Sequence, residues 1–430
     1  MRNILIIYPH WPPSNLAGMH RARLIANFAH RLGWRVTILT VHWRHYEETV
    51  DYDMTRLVHP DIQVISTAAF KPIRIFGRRV IGDIGILSFV QTRKAMLKAL
   101  GDVNFSFVWI PIPSWYTSFL GRIALNRKGV RFGIDYIDPW VYKLTSYEPF
   151  LSKAWWTRQF AILMEPLAIR NASLISGVSQ KYYMAALKRV FKEKSNFPIH
   201  IAMPYGFDLA DHKSDPSEYS PPWKDSSNPF MLYAGAFLPQ SESFISALFQ
   251  ALKNLNKRRM WPRGLKIRFV GTGNRQGRSI TDLAIENHVD HIVEEFSERL
   301  PFLQIQQMLR DSFANLIVGS TEPHYTASKT FQCILSERPI LAIFHSDSSA
   351  SRFLAEAKAD AFLVNWNPSV NSSELRERIQ SALLSLVKKE IEWNPNLAAL
   401  NKYSAEKSAK VLFEAIDLIL AQDEKSTGDS

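Results

Sequence analysis

Residues 3–40 read NILIIYPHWPPSNLAGMHRARLIANFAHRLGWRVTILT. An apolar run, NILIIY (3–8), is halted by Pro12 and Pro13, and Asn15 to Gly18 form a tight loop. A helix opens near Met19 and runs to residue 32, and WRVTILT (34–40) returns as a second apolar run. Strand, loop, helix and strand in this order make the βαβ unit of a parallel sheet. The loop lies at the carboxyl end of the first strand, where the first N–H groups of the helix lack partners and can hold an anion.

The same alternation continues outward. FSFVWI (105–110), VRFGIDYI (130–137), LISGVS (174–179) and IHIAM (199–203) complete a first series. A Pro-, Ser- and Asp-rich stretch, DLADHKSDPSEYSPPWKDSSNPF (208–230), reads as a linker. MLYAGAF (231–237), KIRFVGTG (266–273), ANLIVGS (314–320), PILAIF (339–344) and AFLV (361–364) then form a second series. The pattern predicts two α/β domains, residues 1–207 and 208–400. Leu412, Ile416 and Ile419 stand at helical spacing in a last helix, 401–422, expected to pack back on the first domain, and 423–430 reads as a flexible tail. In open parallel sheets ligands bind at the carboxyl ends of the strands, so two such domains facing each other would make an interdomain cleft.

Composition bounds the function. The chain has 430 residues, 46% apolar, enough for two or three cored domains at roughly 150 residues each. Lys+Arg 52 against Asp+Glu 40 gives +12, yet charged residues are only 21%, so the excess lies on an ordinary surface and is no disordered basic tail. A lone cysteine, Cys333, excludes a disulfide scaffold and a zinc cluster and fits a reducing, cytoplasmic compartment. The start, MRNILIIYPHWPP, is too short in apolar residues for a secretory signal, and no run approaches the 18 or so that a spanning helix needs. GxxxxGK[ST], HExxH and GxSxG are absent, and FVGTGNRQG lacks the dinucleotide-binding spacing. His10 and His20 lie near the first loop and read as surface or packing residues.

Further blocks follow in order: IDYIDPW (134–140), SGVSQ (176–180) after a helix carrying Glu165, PYGFD (204–208), LYAGAF (232–237), FVGTG (269–273) and SKTFQCILSERPILAI (328–343). With the first loop, where Gly18, Arg21, Ala26 and Gly33 stand at matching places, this succession resembles the family-4 glycosyltransferases, retaining enzymes of the GT-B fold. The resemblance implies two facing Rossmann-like domains with a cleft between them, an acceptor domain first and a nucleotide-sugar donor domain second. It implies transfer of a sugar, with retention, from a nucleotide diphosphate to a glycan or lipid-linked acceptor, with no cofactor and no metal. Gly206 in PYGFD suits a left-handed turn at the hinge.

The implied donor-binding residues are Gly18, Arg21, Gly235, Arg275, Glu322, Ser328, Lys329 and Gln332, and the implied catalytic ones are Asp138 and His324. Two places depart from the family. After Gly235 the family supplies an Arg and then a Lys to the diphosphate, whereas here Ala236 to Ser241 bring no cation, leaving Arg275 and Lys329 as candidates. Gln332 and His324 stand where the family carries two glutamates, with Glu322 close by; a Gln oxygen still accepts from a ribose hydroxyl, more weakly than a carboxylate. A second reading is therefore a catalytically silent GT-B protein that binds a glycan or partner. Lys329 could instead be an exposed helix-end lysine, Asp138 a turn former before Pro139, and Asp135 a structural cap.

KPIRIFGRR (71–79), KRVFKEK (188–194) and KRRMWPRGLKIR (257–268) are basic, and Trp115, Tyr116, Trp155 and Trp156 fall in the first domain. Arg74, Arg78 and Arg79 with Trp155 and Trp156 suggest a peripheral contact with an anionic membrane, and solvated faces with buried tryptophans are the alternative. No signature of a nucleic-acid module is present.

Overall fold

The computed structural model describes residues 1–75, 78–142, 150–191, 193–224, 228–273, 277–322 and 329–428. The chain divides into two units, Met1–Asp208 with Tyr403–Ser430, and Leu209–Lys402. In the first, the described strands are β1 (Arg2–Ile7), β2 (Trp34–Val41), β3 (Gln63–Thr67), β4 (Ile73–Ile75), β5 (Arg78–Ile81), β6 (Phe107–Ile112), β7 (Arg131–Tyr136), β8 (Leu174–Gly177) and β9 (Ile199–Ala202). Among the described residues, seven of them form one sheet in the order β3-β2-β1-β6-β7-β8-β9, every pair parallel, and β4 and β5 form a separate antiparallel hairpin. Ile4 to Ile7 are buried on both sides of β1, as a parallel strand covered by helices on both faces must be.

The second unit carries β10 (Phe230–Ala234), β11 (Lys266–Val270), β12 (Val293–Phe296), β13 (Ala314–Val318), β14 (Ile340–His345) and β15 (Phe362–Trp366) in the parallel order β12-β11-β10-β13-β14-β15. Helix Glu242–Lys257 packs Phe244, Leu248, Leu252 and Leu255 into its core, the spacing of one helix face. In each sheet the order reverses beside the first strand, β1 or β10, and the crevice for a ligand opens there.

Three differences from the sequence reading have physical causes. β3, QVIST, and β12, VEEF, are edge strands whose polar residues conceal them from a search for apolar runs. The described part of the expected linker, residues 209–224, is built into the second unit. Leu209–Lys213 is a helix, His212 Nδ1 meets Gln306 Oε1 at 2.7 Å, and Trp223 packs on Phe230 and Phe296 beneath the guanidinium of Arg268, 4.3 Å from its ring. The last helix spans Ala405–Gly428, beyond the expected end at 422, because its polar end is held: Arg131 forks onto Asp423 at 2.7 and 2.8 Å, and Arg2 reaches Glu424 at 3.5 Å. It packs on helix Ala17–Ala29 and on β9, with Phe413 against Trp34. Gly206 has φ 86°, and a Cβ there would lie 3.0 Å from the Ala405 Cα, so the returning chain passes closely over it.

Candidate active site

At the carboxyl ends of β1, β2 and β6 the first unit carries a half-open cavity of about 470 Å³. Tyr8, His10, Glu48, Asp83 and Ser114 give it polar walls, and Leu16, Phe70 and Leu87 apolar ones. Glu48 is fixed by His10 Nδ1 at 2.9 Å and by the Ser14 hydroxyl, which donates at 2.6 Å. Burial would raise its pKa, but those two partners outweigh burial and hold the carboxyl at about 2. Asp83 accepts from the Ser114 hydroxyl at 2.9 Å. Burial, then the neighbouring Tyr205 and the carboxylates of Asp138, Asp83 and Glu48, push the Tyr8 hydroxyl well up, so it is a neutral donor among acceptors. A Cβ on Gly18 would stand 2.1 Å from the Tyr8 hydroxyl oxygen, so the helix can begin beside this phenol only with glycine at that place. Fixed acceptors, a fixed donor and apolar walls in such a volume suit a polyhydroxyl molecule with hydrophobic faces.

Asp138 follows the end of β7 by two residues. Its residue surface is largely exposed, yet partial desolvation of its carboxyl raises the pKa, and its charge acts on Tyr8, Tyr205 and Tyr182. A partly desolvated carboxylate at the end of a strand can orient a hydroxyl and accept its proton. Asp135 and Arg21 are placed differently. Both side chains are fully buried, with Arg21 Nε 2.9 Å and Nη2 3.0 Å from the two Asp135 oxygens. The same guanidinium donates to the carbonyls of Met203 and Pro204, and Ser176 donates to Asp135 at 2.7 Å. With its side chain buried and its donors directed to these partners, Arg21 acts here as a structural tie between the helix Ala17–Ala29, β7 and the segment after β9.

In the second unit Gly235 follows β10 with φ 136°, its N–H donating to the Val270 carbonyl at 2.8 Å. Gly271 and Gly273, after β11, also lie in the left-handed region, at 73° and 76°. The Lys329 ammonium reaches this loop. It lies 3.6 Å from the Tyr233 ring centroid, and a Cβ on Gly235 would come within 3.2 Å of its nitrogen. Gln332 stands one turn along helix Lys329–Leu335, half-buried, on the same side as Lys329. Cys333 beside them is a buried thiol pushed up to about 12 by desolvation in spite of Lys329, so it is no nucleophile. Glu322 is half-buried, its N–H donating to the Ser320 hydroxyl at 3.2 Å. Arg275, His324 and Ser328 lie outside the described residues.

The structure thus sets the Lys329 ammonium against Gly235 in one unit, with Gln332 one turn along the same helix, and in the other puts Gly18 on the wall of the Tyr8 cavity, while Asp138 is not among the residues lining that cavity and acts on Tyr8 through its charge. Sequence reasoning missed Tyr8, the pair His10–Glu48 and Asp83. His10 is a wall of the cavity and not a packing residue, and the signal for it, two acids at 47–48 seven residues past the end of an apolar run, carries no motif. Among the described residues no group of three or more His, Cys, Asp or Glu could hold a metal ion, and no helix is long and apolar enough to cross a membrane.

No family model and no curated protein matches the chain. Solved structures do. Sucrose-phosphate synthase from Thermosynechococcus elongatus is 15% identical with a TM-score of 0.58 over 100% of both chains. A glycosyltransferase from Rickettsia africae is 15% identical with a TM-score of 0.58, covering 97% of this chain and 98% of its own. HepE of Anabaena, solved with UDP and glucose, is 12% identical with a TM-score of 0.59, covering 97% of this chain and 100% of its own. At such identities the likeness is one of fold, and the fold is that of the GT-B glycosyltransferases.

Proposed function

We propose that this protein is a glycosyltransferase that moves a sugar, with retention of configuration, from a nucleotide diphosphate to the hydroxyl of a glycan or lipid-linked acceptor. The donor binds the second unit, with its diphosphate on Lys329 at the Gly235 loop and its ribose near Gln332; the acceptor binds the Tyr8 cavity. As the acceptor oxygen bonds to the anomeric carbon, the bond from that carbon to the diphosphate breaks. The diphosphate leaves with the electron pair, its charge met by the Lys329 ammonium, and the hydroxyl proton passes to Asp138. The observation that supports this most is the Lys329 ammonium set against Gly235 at the carboxyl end of β10, where the sheet order reverses. It supplies, from another helix, the cation that Ala236 to Ser241 lack. HepE, of the same fold, was solved with UDP-glucose, and a family-4 relationship would add retention and a role in polysaccharide or glycoconjugate synthesis.

Titration against UDP-, GDP- and ADP-sugars tests the reading. Saturable binding of one of them is expected, and none at millimolar donor would sink it. Lys329→Ala should weaken that binding by about 1 to 3 kcal/mol, the worth of a charge-assisted contact, while Gln332→Glu is tolerated. Unchanged affinity in Lys329→Ala would show that the diphosphate lies elsewhere.

A further inference from the structure

Helix Lys153–Ile169 turns Ala161, Glu165, Ala168 and Ile169 into the first unit's core. Its outer face is apolar as well. Trp156, Phe160, Leu163 and Leu167, spaced four, three and four apart, are 49%, 52%, 61% and 41% exposed and form one stripe. Phe150, 74% exposed, extends it through a run of ring contacts, Phe150 to Trp155 at 5.0 Å and Trp155 to Trp156 at 4.8 Å. A helix apolar on both sides belongs in a protein interior or against a hydrophobic phase, and a continuous exposed patch of this kind marks an interaction surface.

Charge identifies the occupant. From Phe150 to Asn171 the only acid is Glu165, and it is buried, accepting from Tyr136 at 3.1 Å and from Arg189 Nε at 3.0 Å. The cations there, Lys153, Arg158 and Arg170, have no acid beside them in sequence, and Lys153 and Arg170 are exposed at the two ends of the helix. The adjoining helix Phe119–Lys128 contains no acid; its Arg122 donates to the Leu167 carbonyl at 2.6 Å, and Arg127 and Lys128 are exposed. A second copy of this chain seated on the stripe would bring the same cations against themselves, whereas an anionic bilayer surface offers acyl chains to the stripe and phosphates to its rim. We propose that the outer face of Lys153–Ile169 is a docking surface for anionic membrane, with Trp156, Phe160, Leu163 and Leu167 entering the headgroup boundary and the flanking arginines and lysines meeting lipid phosphate. Of the residues singled out in the sequence, Arg74, Arg78 and Arg79 belong to β4 and β5, and Trp155 and Trp156 to this helix. The proposal does not depend on the transferase reading, and its test uses no donor.

The full chain is sedimented with vesicles of phosphatidylcholine alone and of phosphatidylcholine with phosphatidylglycerol. Binding to the anionic vesicles is expected, falling as salt is raised toward 0.5 M, with little binding to the neutral ones. The double variant Phe160→Ser/Leu163→Ser should weaken anionic-vesicle affinity by about tenfold or more, and Lys153→Glu/Arg170→Glu should weaken it and flatten the salt dependence. Both pairs are exposed, so thermal unfolding should be unchanged. Absence of binding to either vesicle, equal binding to both, or full binding by Phe160→Ser/Leu163→Ser would overturn the proposal. A wild-type chain that dimerises while this variant is monomeric, without vesicle binding, would assign the face to a second copy instead.

Discussion

Asp138→Asn is expected to lower turnover by about 10² or more, the lower end of what a positioned base contributes, with donor affinity nearly unchanged. The substitution keeps the shape and removes the charge. In the first unit Asp138 is a carboxylate whose pKa desolvation raises from its usual value while its field acts on Tyr8 in the cavity wall. Raising the pKa makes the carboxylate a stronger base, and it sets the sign of the pH dependence. The proton-accepting form is present above the raised pKa, so turnover should fall as pH drops through it, at a pH higher than an ordinary aspartate would give, and this acidic limb should vanish in the Asn variant. Glu48, held at about 2 by His10 and Ser14, stays ionised throughout and cannot produce that limb. Near wild-type turnover in Asp138→Asn, or an acidic limb that persists in it, would mean that Asp138 only shapes the turn before Pro139.

How much of this was legible in the sequence depends on what each residue's neighbours are. Strands buried on both faces announce themselves, and β1, β2, β10, β13 and β14 were each marked by an apolar run. Edge strands with one wet side, β3 and β12, were not. The placement of Lys329 beside Gly235 could be expected from the order of the blocks, although 94 residues separate them, because parallel sheets bring loops at strand carboxyl ends together whatever their distance in sequence. The roles of single polar residues were harder to read. Asp135 and Asp138 sit three apart in one block, and only alternation along β7 and the end of the strand send one into the core and the other out of it. His10 looked unremarkable because its partner Glu48 lies beyond the next strand, and Tyr8 because nothing in the residue that follows a strand says that a phenol will face a cavity.

Arg21→Leu should destabilise the first unit by about 3 to 5 kcal/mol, the cost of leaving a buried charge without its partner, and lower the midpoint of its thermal unfolding by roughly 6 °C or more. The guanidinium holds both Asp135 oxygens and the carbonyls of Met203 and Pro204, so it ties the helix Ala17–Ala29 and the end of β7 to the segment that follows β9. Once it is gone, Asp135 keeps the Ser176 hydroxyl at 2.7 Å, itself bonded by the Trp109 indole at 3.2 Å, which is too little to solvate an interior carboxylate. Because most of the loss comes from the stranded charge, Arg21→Leu/Asp135→Leu should be less damaging than Arg21→Leu alone, a reversal that simple loss of packing would not produce. Donor affinity of the folded fraction should be unaffected in both. An Arg21→Leu protein with an unchanged unfolding midpoint and weakened nucleotide-sugar binding would return Arg21 to the role that its place in the first loop implied.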